Sequence, residues 1–226
     1  KKRASSTQEK SQQARETSEK INTLQRPRKV NTADLKSEKF HFGKSVQNLF
    51  TIKELECLLN LRPFLNKERL VLTEDKTYSW FGYSWQTDKD TVPASIIKQV
   101  IKKDVAYIRD AGKANEKINN MCKELEIIFN RPVDCHIYFS FKKNVEGFKK
   151  HNDQADNFIV LCEGEMKVEV WSDEVVTKIM KPGDYVFIPK NIDHRITPLT
   201  DKRLSCSFPI LQHTAPFDER EWLRLQ

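Results

Sequence analysis

The stretch Asn157-Phe158-Ile159-Val160-Leu161-Cys162-Glu163-Gly164-Glu165-Met166-Lys167-Val168-Glu169-Val170-Trp171-Ser172-Asp173 decides the fold class. It holds two short apolar, β-branched runs, Asn157–Cys162 and Met166–Trp171, divided by Glu163-Gly164 and closed by Ser172-Asp173. Runs of this length bounded by such punctuation read as strands joined by tight turns. The same grammar extends outward to Cys135–Phe141, Val175–Met180, Tyr185–Ile188 and Leu204–Ile210, with turns at Asn144–Gly147, Pro182-Gly183-Asp184 and Pro189–Asn191. Strands spaced at roughly ten residues predict a sandwich or barrel over residues 133–212.

Upstream of Pro132 the pattern is helical. Thr51-Ile52-Lys53-Glu54 has capping-box spacing, and Leu55, Leu58 and Leu59 follow at helical period until Pro63. Leu70-Val71-Leu72 reads as a strand, Ala94–Lys103 as a helix, and Asn115–Phe129 as an amphipathic helix with Ile118, Met121, Cys122, Leu125, Ile128 and Phe129 on one face. Tyr78, Trp80, Phe81, Tyr83 and Trp85 form the densest aromatic cluster, which suits a core or sheet face, with a substrate wall as the competing reading. Ordered structure is expected to begin near Phe50. Taken together, a helix-rich part (41–132) feeds a β core (133–212) and a short extension (213–226), an α+β chain that is mainly β.

The 226 residues carry a formal charge of +7, which for the whole chain would suggest a polyanionic partner. Residues 1–40 hold 11 basic and 5 acidic side chains, whereas the rest holds 28 and 27. The basic excess thus belongs to a polar tail, read as disordered or as an exposed helix, and nucleic acid is not indicated for the folded part. No apolar run is long enough to span a membrane. Five cysteines without a paired motif, and no visible signal segment, point to a reducing, cytoplasmic setting.

Within the β half, His151-Asn152-Asp153 precedes His194 by 43 residues. On an extended strand residues i and i+2 point the same way, so His151 and Asp153 can converge on one ion, and a returning strand can bring His194. Two imidazoles and one carboxylate on one face of an octahedron leave three positions open, the donor set of non-haem Fe(II) oxygenases. The pair alone is a weak signal, and the competing readings are a surface histidine beside Lys149-Lys150 and a loop histidine at 194. Context strengthens it, because His194 ends the run Gly183-x5-Pro189-x-Asn191-x2-His194.

That run resembles the second cupin motif, with Asn191 where a glycine is usual. More closely, Ile137-Tyr138-Phe139-Ser140 and Gly147 through Glu165 resemble the JmjC-type, cupin-fold 2-oxoglutarate oxygenases, and among them the ribosomal oxygenase branch. The likeness covers about residues 45–212 and is strong over 134–208. It implies a double-stranded β-helix (cupin, or jelly-roll) core preceded by N-terminal helices. It also implies Fe(II) held by His151, Asp153 and His194, with 2-oxoglutarate and O2 as co-substrates and a homodimer as an expectation. Tyr138 matches a tyrosine that helps hold the co-substrate, and Asn157 a polar position lining the same pocket.

The sequence departs from the family where a basic residue should meet the far carboxylate of 2-oxoglutarate. Met166 occupies that place, with Lys167 beside it. A one-residue shift turns a strand side chain to the other face, so Lys167 serves only if a bulge near Gly164-Glu165 corrects the register. Otherwise Arg203, followed at two residues by Ser205, could supply the charge. The substrate implied is a protein or peptide side chain or a small molecule, with Trp80, Tyr83 and Trp85 as candidate pocket walls. A metal-binding cupin that does not use 2-oxoglutarate is the alternative, and Met166 favours it.

Overall fold

The computed structural model of the chain describes residues 39–44, 46, 48–60, 70–74, 77–79, 105–145 and 147–211. The tail before Lys39, the expected helix at 94–103, Trp80, Tyr83 and Trp85, and the extension from residue 213 lie outside the described residues. In chain order the elements are β1 (His41–Lys44), α1 (Ile52–Asn60), β2 (Leu70–Glu74), β3 (Thr77–Ser79), β4 (Val105–Ile108), α2 (Glu116–Phe129), β5 (His136–Ser140), β6 (Asp156–Glu163), β7 (Met166–Trp171), β8 (Val175–Met180), β9 (Asp184–Ile188), β10 (Asp193–Pro198) and β11 (Arg203–Ile210). No helix among the described residues is long and apolar enough to cross a membrane.

Two sheets face one another. The larger runs β1-β9-β6-β11-β5-β4-β2-β3 and the smaller β10-β7-β8, with antiparallel pairing throughout. Between them Ile159 and Leu161 of β6, Val186 and Ile188 of β9, Met166, Val168 and Val170 of β7 and Met180 of β8 form one buried cluster. The other face of the larger sheet packs a second apolar layer. There Phe158 meets Tyr185 and Phe208, and Phe129 from the end of α2 stacks on Phe187 at 5.6 Å. This is the packed double sheet expected of a cupin barrel, with helices on one outer face.

Both helices among the described residues start on side-chain caps. Thr51 and Glu54 exchange hydrogen bonds in a capping box, and Asn115 accepts from the Ile118 amide at 2.7 Å. Glu54 also accepts from Asn115 Nδ2 at 3.1 Å, so one carboxylate ties the two helix starts together.

One expectation about the elements is corrected. Order begins before Phe50, because His41–Lys44 pairs with Asp184–Phe187 as an edge strand; four residues flanked by lysines give too short a periodic signal to read. Within 41–132 the described residues place β1 to β4 on the larger sheet and form α1 and α2. Asp193–Pro198 is the returning strand that brings His194, although it carries few apolar residues. Its pairing with every residue of β7 supplies the stability its composition lacks.

Candidate metal centre

His151 and His194 face each other across a two-bond antiparallel bridge, the His151 amide donating to the His194 carbonyl at 3.1 Å and the reverse bond measuring 2.7 Å. The Asn191 amide donates to the Asp153 carbonyl at 2.8 Å. The segment 151–153 is thus pinned to the strand that bears His194. Asn191 has φ 64°, a conformation that disfavours most side chains but that asparagine tolerates, which explains why it can replace the glycine of the motif it resembles. Outside the bridge, Asn152 donates to Asp193 and Lys150 pairs with the same carboxylate at 3.0 Å.

The three side chains converge, with donor atoms within 4.8 Å of one another. Asp153 Oδ1 lies 3.8 Å from His151 Nε2, and Oδ2 lies 3.6 Å from His194 Nε2. Each Nδ1 faces a backbone carbonyl, Lys149 at 2.7 Å and Ile192 at 3.0 Å. A carbonyl only accepts, so both Nδ1 atoms carry the proton and both Nε2 lone pairs point into the cluster. Burial holds the His194 pKa below its ordinary value, which keeps that ring neutral and able to ligate. Asn157 Nδ2 donates to Asp153 Oδ2, and Ser207 donates to Asn157 Oδ1 at 3.1 Å, fixing the carboxylate through two further groups. These donors fit one divalent ion of borderline softness.

The cluster opens into a cavity continuous with solvent, whose lining includes Tyr138, Phe148, Ile159, Ile196, Arg203 and Ser205. Tyr107 stacks on Tyr138 at 4.7 Å, and Phe148 lies 5.5 Å from His151. Arg203 is only 2% exposed, and burial pushes its pKa down to about 10, so it stays charged at neutral pH.

Lys167 does not reach this cavity. β7 pairs residue for residue with β8 and β10, so Met166, Val168 and Val170 point inward while Lys167 turns out and pairs with Glu169 at 3.3 Å. A bulge does occur, but on β6, where Cys162 is the extra residue opposite Leu204 and Ser205, and it leaves the register of β7 unchanged. Tyr107, Phe148 and Ser207 were not read from the sequence as site residues. Ser207 had a signal, since it shares the parity of Arg203 and Ser205 on one strand. A second convergence, Asp110, Asp134 and His136, is a loop stitch: Asp134 Oδ1 accepts from the Gly112 and Cys135 amides at 3.1 and 2.7 Å.

Fold and donor set together define a cupin-type barrel with a two-histidine, one-carboxylate cluster at its mouth, and residues 138–208 match the cupin domain family. The chain resembles, over 81 residues at 26% identity, the bifunctional lysine-specific demethylase and histidyl-hydroxylase NO66 of Branchiostoma floridae; the match covers 36% of this chain and 13% of that protein. It is also similar to the Escherichia coli ribosomal oxygenase YcfD, with a TM-score of 0.58 and 17% identity over 88% of this chain and 55% of that one. A structure of YcfD in complex with cobalt and 2-oxoglutarate gives a TM-score of 0.53 at 18% identity, over 86% of this chain and 54% of that one. The chain spans about half the length of these solved relatives.

Proposed function

We propose that this chain is an Fe(II)- and 2-oxoglutarate-dependent oxygenase that hydroxylates a C–H bond of a protein or peptide side chain or of a small molecule. The observation that carries the reading is the convergence of His151, Asp153 and His194 with both Nε2 lone pairs freed by backbone acceptors. When bound, Fe(II) with 2-oxoglutarate and O2 supplies the oxidising chemistry, with succinate and CO2 as co-products. His151, Asp153 and His194 would hold the ion, and Asn157 and Ser207 orient the carboxylate. Tyr138, Phe148 and Ser205 line the cavity where a co-substrate would lie, and Tyr107 stacks behind Tyr138 and meets Phe148 edge-on. The cobalt and 2-oxoglutarate complex of YcfD supports the same pair of ligands here. Five free thiols suit a reducing compartment such as the cytoplasm.

Met166, buried and apolar, favours a second reading, a metal-binding cupin that does not use 2-oxoglutarate. Anaerobic Fe(II) titration separates the two. The oxygenase is expected to develop a visible charge-transfer band only when 2-oxoglutarate is added, and to lose it in His151→Ala and Asp153→Ala. Tight iron binding with no band at any 2-oxoglutarate concentration would leave the second reading in place.

A further inference from the structure

On the face of the larger sheet turned away from the cavity, thiols gather on neighbouring strands. Cys162 is the extra residue in the β6 bulge, and Cys206 lies on β11 opposite Val160, two residues earlier on β6. Cys162 follows Phe158 and Val160 on the outer side of β6, as Cys206 follows Leu204 on that of β11. The two are therefore diagonal neighbours on one face, within reach of each other across the ladder. Their sulfurs stand 3.7 Å apart, the Cys162 thiol donating to Cys206 Sγ. The Cys206 backbone also hydrogen-bonds to the Cys162 sulfur, so the approach rests on more than one pair of atoms. On the far side of Cys206 lies a third thiol, Cys135, hydrogen-bonded to it in turn.

These thiols differ in access. Cys162 is half-buried, whereas Cys135 and Cys206 are buried, so an oxidant arriving from solvent meets Cys162 first. The Phe50 backbone, just ahead of the α1 capping box, hydrogen-bonds to the same sulfur.

We propose that Cys162 and Cys206 are a redox pair that closes into a disulfide under peroxide, and that this bond acts on the metal centre through the two strands it joins. The Cys162 sulfur attacks one peroxide oxygen, the O–O bond breaks, and the products are a sulfenic acid and water. Cys206 then attacks the sulfenyl sulfur. The S–S bond forms as the S–O bond breaks, and the departing hydroxide leaves as water with the Cys206 proton. Two thiols thus lose two electrons and two protons, and one peroxide becomes two waters. The hydrogen bond to Cys206, together with burial, holds the Cys162 pKa well above its ordinary value, and burial does the same for Cys206. Protonated thiols react slowly, so the pair stays reduced until peroxide is abundant.

Closing the bond shortens the sulfur separation from 3.7 Å to about 2.0 Å. The strands it draws together carry Asn157 and Ser207 on their inner face, the hydrogen-bonded pair that braces Asp153. A close-packed sheet has little free volume in which to absorb such a shift. The inference does not depend on which chemistry the bound metal performs.

The test uses the full chain with Cys57, the exposed thiol, replaced by Ala to prevent links between molecules. Metal-free protein is treated with hydrogen peroxide, freed of it, and quenched in acid before unfolding and peptide mapping. A peptide pair linked through Cys162 and Cys206 is expected, and a dithiol reductant should release it. Cys206→Ala should stop at a Cys162 sulfenic acid that a 1,3-dione traps. Cys162→Ala, which leaves the buried thiols in place, should consume peroxide about tenfold more slowly than the parent. Mn(II) should bind the oxidised protein about tenfold more weakly than the reduced one, and peroxide should not alter its affinity for Cys162→Ala. Absence of a linked pair, or a link through Cys135 instead, overturns the redox pair. A link between Cys162 and Cys206 that leaves Mn(II) affinity unchanged overturns its action on the metal centre.

Discussion

β11 carries two chemistries on one buried backbone. Leu204, Cys206 and Phe208 face the layer beneath the helices, and Arg203, Ser205 and Ser207 face the cavity, yet all six are 6% exposed or less. Burial therefore does not separate the structural face from the functional one. What separates them is how the buried atoms are satisfied. On the outer face apolar atoms meet apolar atoms, and the burial is itself stabilising. On the inner face Ser207 is tied into the Asn157–Asp153 chain, while the Arg203 Nε has no hydrogen-bond partner among the described residues. A strand that places hydroxyls and a cation where water is scarce is organised for a ligand.

The largest expected effect breaks the comparison on its outer side. Phe208→Ala removes a fully buried ring that contacts Phe158, and should cost about 3–5 kcal/mol in urea unfolding. Metal affinity of the molecules that remain folded should change little. An unaltered unfolding midpoint would show that the outer layer is not the main source of stability.

On the inner side, Asp153→Ala should act in the opposite sense. If the binding free energy of a transition ion is shared among its ligands, one carboxylate contributes about 3 kcal/mol, so Fe(II) should bind on the order of 100-fold more weakly. The melting temperature without metal should hold or rise, because Asp153 is half-exposed and lacks a cationic partner once the histidines are neutral. A smaller change is expected one group further out. Asn157→Ala frees Asp153 from its brace and should weaken metal binding about 10–100-fold, as losses of groups that orient ligands generally do. A metal titration of both variants beside Phe208→Ala tells whether the two faces are separable.

Much of this difference was legible in the sequence. Apolar runs and Gly or Pro turns marked β5 to β9 and β11 to within a residue or two, because each is a short run closed by a strong turn signal. The i, i+2 spacing of His151 and Asp153 was readable for the same reason. β10 was not, since Asp193-His194-Arg195-Ile196-Thr197-Pro198 owes its strand form to β7 and not to its own composition. The choice between Lys167 and Arg203 was likewise unreadable. It depended on where one extra residue entered the ladder, and a bulge at Cys162 instead of at Gly164-Glu165 changes which side chains look inward without leaving a local trace.

The smallest effect sharpens the comparison by asking what holds the outer cover in place. Asn115 caps α2, donates to Glu54 of the α1 capping box at 3.1 Å and donates to the Leu49 carbonyl at 3.3 Å. Asn115→Ala should cost about 1 kcal/mol as a lost cap, and Glu54→Ala a similar amount. If the two helix starts act as one unit, the double variant should lose less than the sum of the singles, with a coupling of at least about 0.5 kcal/mol in a double-mutant cycle. Strict additivity would mean that each helix docks on the sheet independently. The Glu163 carboxylate, which accepts from the Ile52 amide at 2.6 Å, would then be the principal polar tie of α1 to the barrel. In either case the inner face should not register the change, and metal affinity in Asn115→Ala is expected to match that of the parent chain.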